Sequence, residues 1–199
     1  FESGWLVIRL WESQIEGDLN ACVEQIVKAV QGERVNSFKE LLSEKSFAEF
    51  FAGIGLVRYS LESMGWTYKF ANDLDLNKKV MYEGHFGPDE KFLLDDIHNI
   101  HTDQIPSVTL ATASFPCNDL SLAGARQGLN DGKQSSAFWG FIKVLNEMGT
   151  RRSPLVLLEN VTGFLSSKNG EDFRQALLAL NDLGYQVDSF ILDAANFVP

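Results

Sequence analysis

Apolar and polar positions follow two different patterns along the chain, and the change between them falls near residue 46. Residues 5–11 form a short aromatic and β-branched run that predicts a strand, and the spacing of apolar residues predicts an amphipathic helix over 18–30. Residues 31–46 are polar and carry no pattern that requires burial. We therefore predict a strand–helix segment over 1–30, a linker over 31–46 and a larger domain over 47–199.

From residue 47 onward, short apolar runs alternate with amphipathic stretches, an order typical of βαβ units. We predict an α/β domain with a mostly parallel sheet and helices on both faces. The predicted strands cover 47–51, 68–72, 108–113, 155–158 and 187–192, and the predicted helices cover 57–64, 77–85, 136–148 and 172–183.

Composition and charge narrow the class of protein. The 199 residues are 45% hydrophobic and 22% charged, which is typical of a globular chain and excludes disorder as the default. The net charge of −10 is the reverse of the basic surface expected of a self-sufficient nucleic-acid binder. Any nucleic-acid role must therefore draw its positive surface from elsewhere.

The two cysteines, Cys22 and Cys117, form no disulfide framework and no zinc-binding spacing. His98 and His101 match no known set of metal ligands, so we expect no metal site. The chain has no apolar run long enough to cross a bilayer, and we expect a cytoplasmic protein without membrane contact. The oligomeric state stays open.

A glycine-containing turn connects the strand over 47–51 to the helix over 57–64. About twenty residues later, Asp73 ends the next strand, where a carboxylate can accept the hydroxyl protons of a ribose. Leu56 stands where a third glycine would complete a dinucleotide fingerprint, and no phosphate-binding Lys-Ser/Thr follows. A ribose-bearing ligand without a pyrophosphate, such as S-adenosylmethionine, fits this pattern. The turn runs through Phe51, Ala52, Gly53, Ile54 and Gly55.

Two reactive side chains follow predicted strands. Cys117 comes after a proline in a turn at the end of strand 108–113, whereas Cys22 falls in an apolar helical stripe and is expected to be a buried small side chain. Cys117 is therefore a candidate nucleophile, with a buried free thiol as the alternative. Glu159 directly follows the apolar strand 155–158, so we expect its carboxylate to be partly desolvated, as suits a proton donor.

The ordered series of motifs closely resembles the DNA cytosine-5 methyltransferases over residues 46–199. The series consists of Phe51-Ala52-Gly53-Ile54-Gly55, Asn72-Asp73, Asp96-Ile97, Phe115-Pro116-Cys117 with Ser121, and Glu159-Asn160-Val161. The chain departs from the family pattern at 118–121, where Asn-Asp-Leu-Ser replaces the usual Gln-x-Phe-Ser, and at Leu56, which replaces a frequent glycine. Neither departure removes a reacting group.

The resemblance implies a Rossmann-like, S-adenosylmethionine-dependent methyltransferase fold that methylates C5 of cytosine in double-stranded DNA and releases S-adenosylhomocysteine. It implies that Cys117 adds to C6 of a flipped-out cytosine, that Glu159 holds and protonates N3, and that Asn160 braces Pro116 and the cysteine loop, whose motif Ser121 completes. It assigns donor binding to Phe51, Ala52, Gly53, Ile54, Gly55, Asp73, Leu74, Asp96, Ile97 and Pro116.

Two alternatives remain: a tRNA cytosine-5 methyltransferase with the same chemistry, and a catalytically silent binding or regulatory fragment. The family also carries a target-recognition domain and a further motif beyond the position of Pro199, so we expect the 199-residue chain alone to have little or no activity. Residues 4–30 resemble the C-terminal strand and helix of very-short-patch-repair-like endonucleases. The DNA recognition sequence and the biological role, restriction–modification among the options, stay open.

Overall fold

In this computed structural model, the described residues are Asp18, Val23, 44–116 and 137–196. The contacts of the chain divide it into two compact units, Phe1–Glu44 and Lys45–Pro199, and the sheet and helices described below belong to the second. The predicted strand over 5–11 and Cys22 lie outside the described residues. The predicted segment, linker and domain over 1–30, 31–46 and 47–199 therefore stay predictions, as does the endonuclease resemblance of 4–30.

The second unit is built on a five-stranded sheet in the order β3-β2-β1-β4-β5. Every pair of neighbouring strands is parallel, so the predicted parallel α/β architecture is confirmed. The strands are β1 (Ser46–Phe50), β2 (Thr67–Asp73), β3 (Phe92–Leu94), β4 (Leu110–Ala113) and β5 (Leu155–Leu158).

Apolar side chains cover the sheet on both faces. All five residues of β1 are buried, as expected for a central strand of a parallel sheet. Phe47 belongs to a cluster with Tyr82 on one face, whereas Phe50 packs against Phe141 on the other, because successive side chains of a strand point in opposite directions. The α-helices described in the second unit are α1 (Leu56–Ser63), α2 (Leu76–Phe86), α3 (Ala137–Met148), α4 (Gly163–Ser166) and α5 (Glu171–Asp182).

One predicted strand is wrong. Residues 187–192 form no strand, and Phe190, Ile191 and Leu192 are exposed. Within the described part of the chain, β5 pairs with β4 alone. An apolar pattern makes a segment capable of strand formation, but only a neighbouring backbone supplies the hydrogen bonds. The short strand β3 was not among the predicted strands, because its three residues are too few to form a pattern.

Candidate active site

The carboxyl ends of β1, β2, β4 and β5 meet at one edge of the sheet because all the strands are parallel. The chain order reverses between β1 and β4, and ligands of open α/β sheets bind in the crevice at such a reversal. A pocket of about 500 Å³ opens at this edge, a volume typical of small-molecule sites. Its described lining consists of Glu49, Phe50, Phe51, Ala52, Gly53, Ile54, Leu56, Val57, Lys78, Ser114 and Glu159.

The glycine turn after β1 depends on backbone conformations that L-residues rarely adopt. Phe51, Gly53 and Gly55 have φ angles of 56°, 58° and 87°. A Cβ atom at Gly55 would stand 2.4 Å from Cε2 of Phe86, so that position also lacks room for a side chain. The tight turn and the close packing beneath it together explain the glycine motif read from the sequence.

Asp73, the last residue of β2, holds this turn in place through a hydrogen bond. The backbone N–H of Gly53 donates to Oδ2 of Asp73 at 2.9 Å, and the N–H of Asp75 donates to Oδ1 at 3.0 Å. Nζ of Lys78 lies 3.5 Å from Oδ2. Asp73 is 3% exposed and is not among the described residues that line the pocket. The structure therefore brings the predicted glycine turn and the predicted acid into direct contact, with the acid beneath the turn.

The residues expected at the adenine end of a donor lie further along the same edge, outside the described pocket lining. Leu74 is exposed. Asp96 is also exposed and is the N-cap of a short 3-10 helix, Ile97–Asn99, and its Oδ1 accepts from the N–H of His98 at 2.9 Å. Ile97 is 4% exposed and packs into the core. The side chain of Asn72 donates to the carbonyl of Asp95 at 2.8 Å and so ties this segment to β2.

The segment that leads to Cys117 leaves β4 beside the segment that carries Glu159. Ser114 lines the pocket, and the side chain of Asn160 donates to the carbonyl of Phe115 at 2.9 Å. Pro116 is exposed and lies outside the pocket lining. Cys117 and Ser121 themselves lie outside the described residues. The two chemical motifs are thus joined by a hydrogen bond one residue before the proline.

Glu159 follows β5 and lines the same pocket as the glycine turn. Its backbone N–H donates to the carbonyl of Ala113 at 3.1 Å, which continues the pairing of β4 and β5. The side chain of Glu159 is exposed, so the expectation that the preceding apolar strand desolvates it is wrong. The reason is that Glu159 stands past the end of the sheet, where the apolar residues of β5 no longer surround it.

Sequence reasoning missed Glu49, a carboxylic acid in the middle of the buried strand β1. Glu49 is 2% exposed and is one of the residues that line the pocket. Burial raises its pKa from 4.5 to about 7, partly offset by the backbone N–H of Arg58, a hydrogen bond from Tyr82, the positive charge of Arg58 and the backbone N–H of Val57. The signal was present in the sequence. A lone acid within a buried strand is unusual, because a buried carboxyl group requires hydrogen-bond donors or a compensating charge.

Lys78 is a second residue of the pocket that the sequence motifs do not include. It stands in the first turn of α2, where the helix dipole disfavours a positive charge. Its partner is Asp73, which explains the placement because a buried carboxylate requires a compensating charge.

Among the described residues, no three His, Cys, Asp or Glu side chains lie together in a way that could hold a metal ion. No described helix is both long enough and apolar enough to span a bilayer.

Comparison with known proteins identifies the family. The model of the C-5 cytosine-specific DNA methylases matches residues 45–198. The chain belongs to the C-5 cytosine-specific DNA methylase family. This confirms the family that the ordered motifs indicated.

Relatives of this methylase chain include type II methyltransferases. M.MspI of Moraxella sp is 30% identical over 155 residues, which cover 78% of this chain and 36% of that protein. M.DsaV of Dactylococcopsis salina is 33% identical over 151 residues, which cover 76% of this chain and 41% of that protein. The methylase chain thus spans less than half the length of these relatives.

A solved structure supports the fold. The Dnmt2 methyltransferase of S. pombe superposes with a TM-score of 0.50 at 25% identity, over 67% of this chain and 41% of that chain. The predicted Rossmann-like methyltransferase fold is therefore confirmed for this methylase chain.

Proposed function

We propose that the full-length protein acts in the cytoplasm and transfers a methyl group from S-adenosylmethionine to C5 of cytosine in double-stranded DNA, through a covalent adduct with Cys117. One observation carries this proposal. Ser114, three residues before Cys117, and Glu159 line the same pocket as the glycine turn. A nucleophile-bearing segment, an acid and a donor-binding turn at one pocket are the parts that this reaction requires.

The residues of the pocket fit a methyl donor of this kind. A Cβ atom on Gly53 would meet nothing within 4 Å, so the turn leaves open space beside its backbone. Two of the residues that line the pocket, Glu49 and Glu159, are acidic, which suits a positively charged ligand. A carboxylate offers about four acceptor directions. Asp73 uses three of them, toward Gly53, Asp75 and Lys78, which leaves one for a ribose hydroxyl.

At the adenine end, Leu74 offers an exposed apolar surface next to Asp73. Asp96 is exposed and can present a carboxylate oxygen to the amino group of the base. Because the side chain of Ile97 is buried in the core, we assign its contribution to the backbone. When bound, S-adenosylmethionine supplies an electrophilic methyl group on a positively charged sulfur.

The reaction proceeds by nucleophilic addition to the cytosine ring. The thiolate of Cys117 forms a bond from Sγ to C6, and the electron pair of the C5–C6 double bond moves toward C5. Glu159 protonates N3, so that negative charge does not build up on the ring and C5 can take the methyl group. Loss of the C5 proton to a base, return of the N3 proton to Glu159 and departure of the Cys117 thiolate restore the C5–C6 double bond and the neutral ring.

The exposure of Glu159 suits this role. A cytosine that flips out of a duplex enters from outside and covers the carboxyl group only when it is bound. The hydrogen bond from Asn160 to Phe115 holds the two segments in register one residue before Pro116.

Replacement of the nucleophile tests the proposal. In the full-length protein, we expect Cys117→Ala to abolish the transfer of labelled methyl groups and the covalent trapping on duplex DNA that contains 5-fluorocytosine. Cys22→Ala is the matched control, because it removes the other thiol of the sequence, and it should retain both. Equal trapping by the parent and by both variants would refute the assignment of Cys117.

The choice of substrate polymer is tested in the same assay. We expect the full-length protein to methylate duplex DNA and to leave tRNA unmodified. Transfer to tRNA alone would favour the alternative substrate. Binding of S-adenosylmethionine without transfer to either polymer would identify a non-catalytic member of the family.

A further inference from the structure

Glu49 lines the pocket, and none of the proposed catalytic steps uses it. It is the one acid in the buried strand β1, between Ala48 and Phe50, which both face the opposite core. Its carboxyl group therefore points to the face of the sheet that α1 and α2 cover, where Oε2 lies 3.5 Å from the hydroxyl of Tyr82.

Helix α1 has no capping side chain of its own. Its N-cap residue is Gly55, which offers no side-chain acceptor to the first N–H groups of the helix. The backbone N–H groups of Val57 and Arg58 donate instead to the carboxyl group of Glu49. These are the second and third helical positions, where a capping side chain normally accepts.

Glu49 of β1 thus caps the N-terminus of α1. The glycine turn of the pocket is the segment that connects this strand to this helix. Two carboxyl groups hold this turn: Asp73 through the N–H of Gly53, and Glu49 through the first turn of α1. A change in the charge of Glu49 therefore acts on the backbone that the donor contacts.

The charges around Glu49 are distributed over several elements. Arg58 of α1 contributes positive charge, and its guanidinium lies 3.9 Å from the ring centre of Tyr68 and pairs with Asp89 at 2.7 Å. Among the described residues, the other charged or titratable groups that face Glu49 or line its pocket are Tyr82 and Lys78 of α2 and Glu159 after β5.

Building on the proposed function, we propose that Glu49 is a positioning residue that, when ionised, holds the glycine turn against α1 and attracts the positive charge of the methyl donor. Binding of a sulfonium ligand then favours the ionised carboxylate. By linkage, the affinity for that ligand rises as the carboxyl group loses its proton. The product S-adenosylhomocysteine lacks the sulfonium charge, so its affinity should rise much less when Glu49 loses its proton.

The pH range of the effect follows from burial, which raises the pKa of Glu49 to about 7. We expect the affinity of the full-length protein for S-adenosylmethionine to rise about fivefold between pH of about 6 and about 8.5, measured by isothermal titration calorimetry. The affinity for S-adenosylhomocysteine should change by less than about threefold over that range.

Glu49→Gln keeps an oxygen that can accept from the helix but removes the charge. In this variant, we expect the dependence of S-adenosylmethionine affinity on pH to disappear, with affinity about tenfold below the parent at high pH. Glu147→Gln is the matched control, because it makes the same change at an exposed position of α3, and it should retain the parental dependence.

Tyr82→Phe provides a second test that keeps the carboxyl group. The hydrogen bond from Tyr82 lowers the pKa of Glu49, so its loss should move the midpoint of the affinity profile to higher pH. Donor binding without dependence on pH, or the same dependence in Glu49→Gln, would overturn the role of Glu49 and leave the proposed function intact. Failure of the parent to bind either ligand would overturn both.

Discussion

At the scale of single residues, Gly55 is the position where conformation and packing both exclude a side chain. Its φ of 87° lies in the left-handed region, and Phe86 and Tyr82 occupy the space that a Cβ would need. Gly65 has a similar φ of 78° but meets nothing within 4 Å of a built Cβ. A comparison of substitutions at Gly65 and Gly55 therefore separates the energetic cost of the left-handed backbone from the cost of steric overlap with the two aromatic rings.

We predict that Gly65→Ala lowers the free energy of unfolding by about 1 kcal/mol, from the left-handed backbone alone. Gly55→Ala should lower it by about 3 kcal/mol, because displacement of the two aromatic rings adds to the same conformational cost. Urea denaturation of the full-length protein measures both values. Equal losses in the two variants would contradict the packing role of Phe86 and Tyr82 around Gly55.

At the scale of secondary-structure elements, the pairing of β4 with β5 brings the two chemical motifs together. Ala113 pairs with Leu158 at the ends of these strands, and the pairing continues through the N–H of Glu159 to the carbonyl of Ala113. The side chain of Asn160 then reaches across to Phe115. These contacts keep the distance between the two segments constant beyond the sheet.

We predict that Asn160→Ala lowers kcat for DNA methylation by about 10- to 100-fold, because small displacements of reacting groups have large effects on rate. The KM for S-adenosylmethionine should stay within about twofold of the parental value, since the glycine turn and Asp73 are untouched. Asn181→Ala, at an exposed position of α5, is the control and should have the parental kcat. A rise in donor KM with an unchanged kcat would show that Asn160 acts on donor binding instead.

At the scale of the whole molecule, the buried acid makes stability depend on pH. The pKa of Glu49 is about 7 in the folded protein, against the usual 4.5, because of burial. Between these two pH values the folded protein binds more protons than the unfolded protein, so the free energy of unfolding falls as the pH rises. Ionisation of Glu49, which the proposed donor binding uses, therefore lowers the stability of the folded protein.

We predict that the free energy of unfolding of the full-length protein falls by about 3 kcal/mol between pH of about 4.5 and about 7.5 through Glu49. Glu49→Gln should remove most of this fall, whereas Glu147→Gln, whose carboxyl group was exposed, should keep it. Urea denaturation across this pH range provides the measurement. A parent and a Glu49→Gln variant with parallel profiles would contradict the raised pKa.

The sequence by itself determined the architecture of the second unit and the family. The alternation of apolar runs with amphipathic stretches is a local property, and it predicted four of the strands and four of the helices to within a few residues. The glycine turn, Asp73 and Glu159 were found because a parallel sheet places the residues that follow its strands at one edge.

Only the tertiary structure decided which of these residues are buried, which are exposed and which groups they contact. Asp73 lies beneath the turn with both carboxylate oxygens in hydrogen bonds, Glu159 is exposed, and residues 187–192 do not form a strand. The structure shows that Glu49 caps α1, because its carboxyl group accepts from the backbone N–H groups of Val57 and Arg58. It also contacts Tyr82, which is 33 residues away in the sequence. Burial and hydrogen-bond partners depend on which backbones lie side by side, and periodicity along one chain does not contain that information.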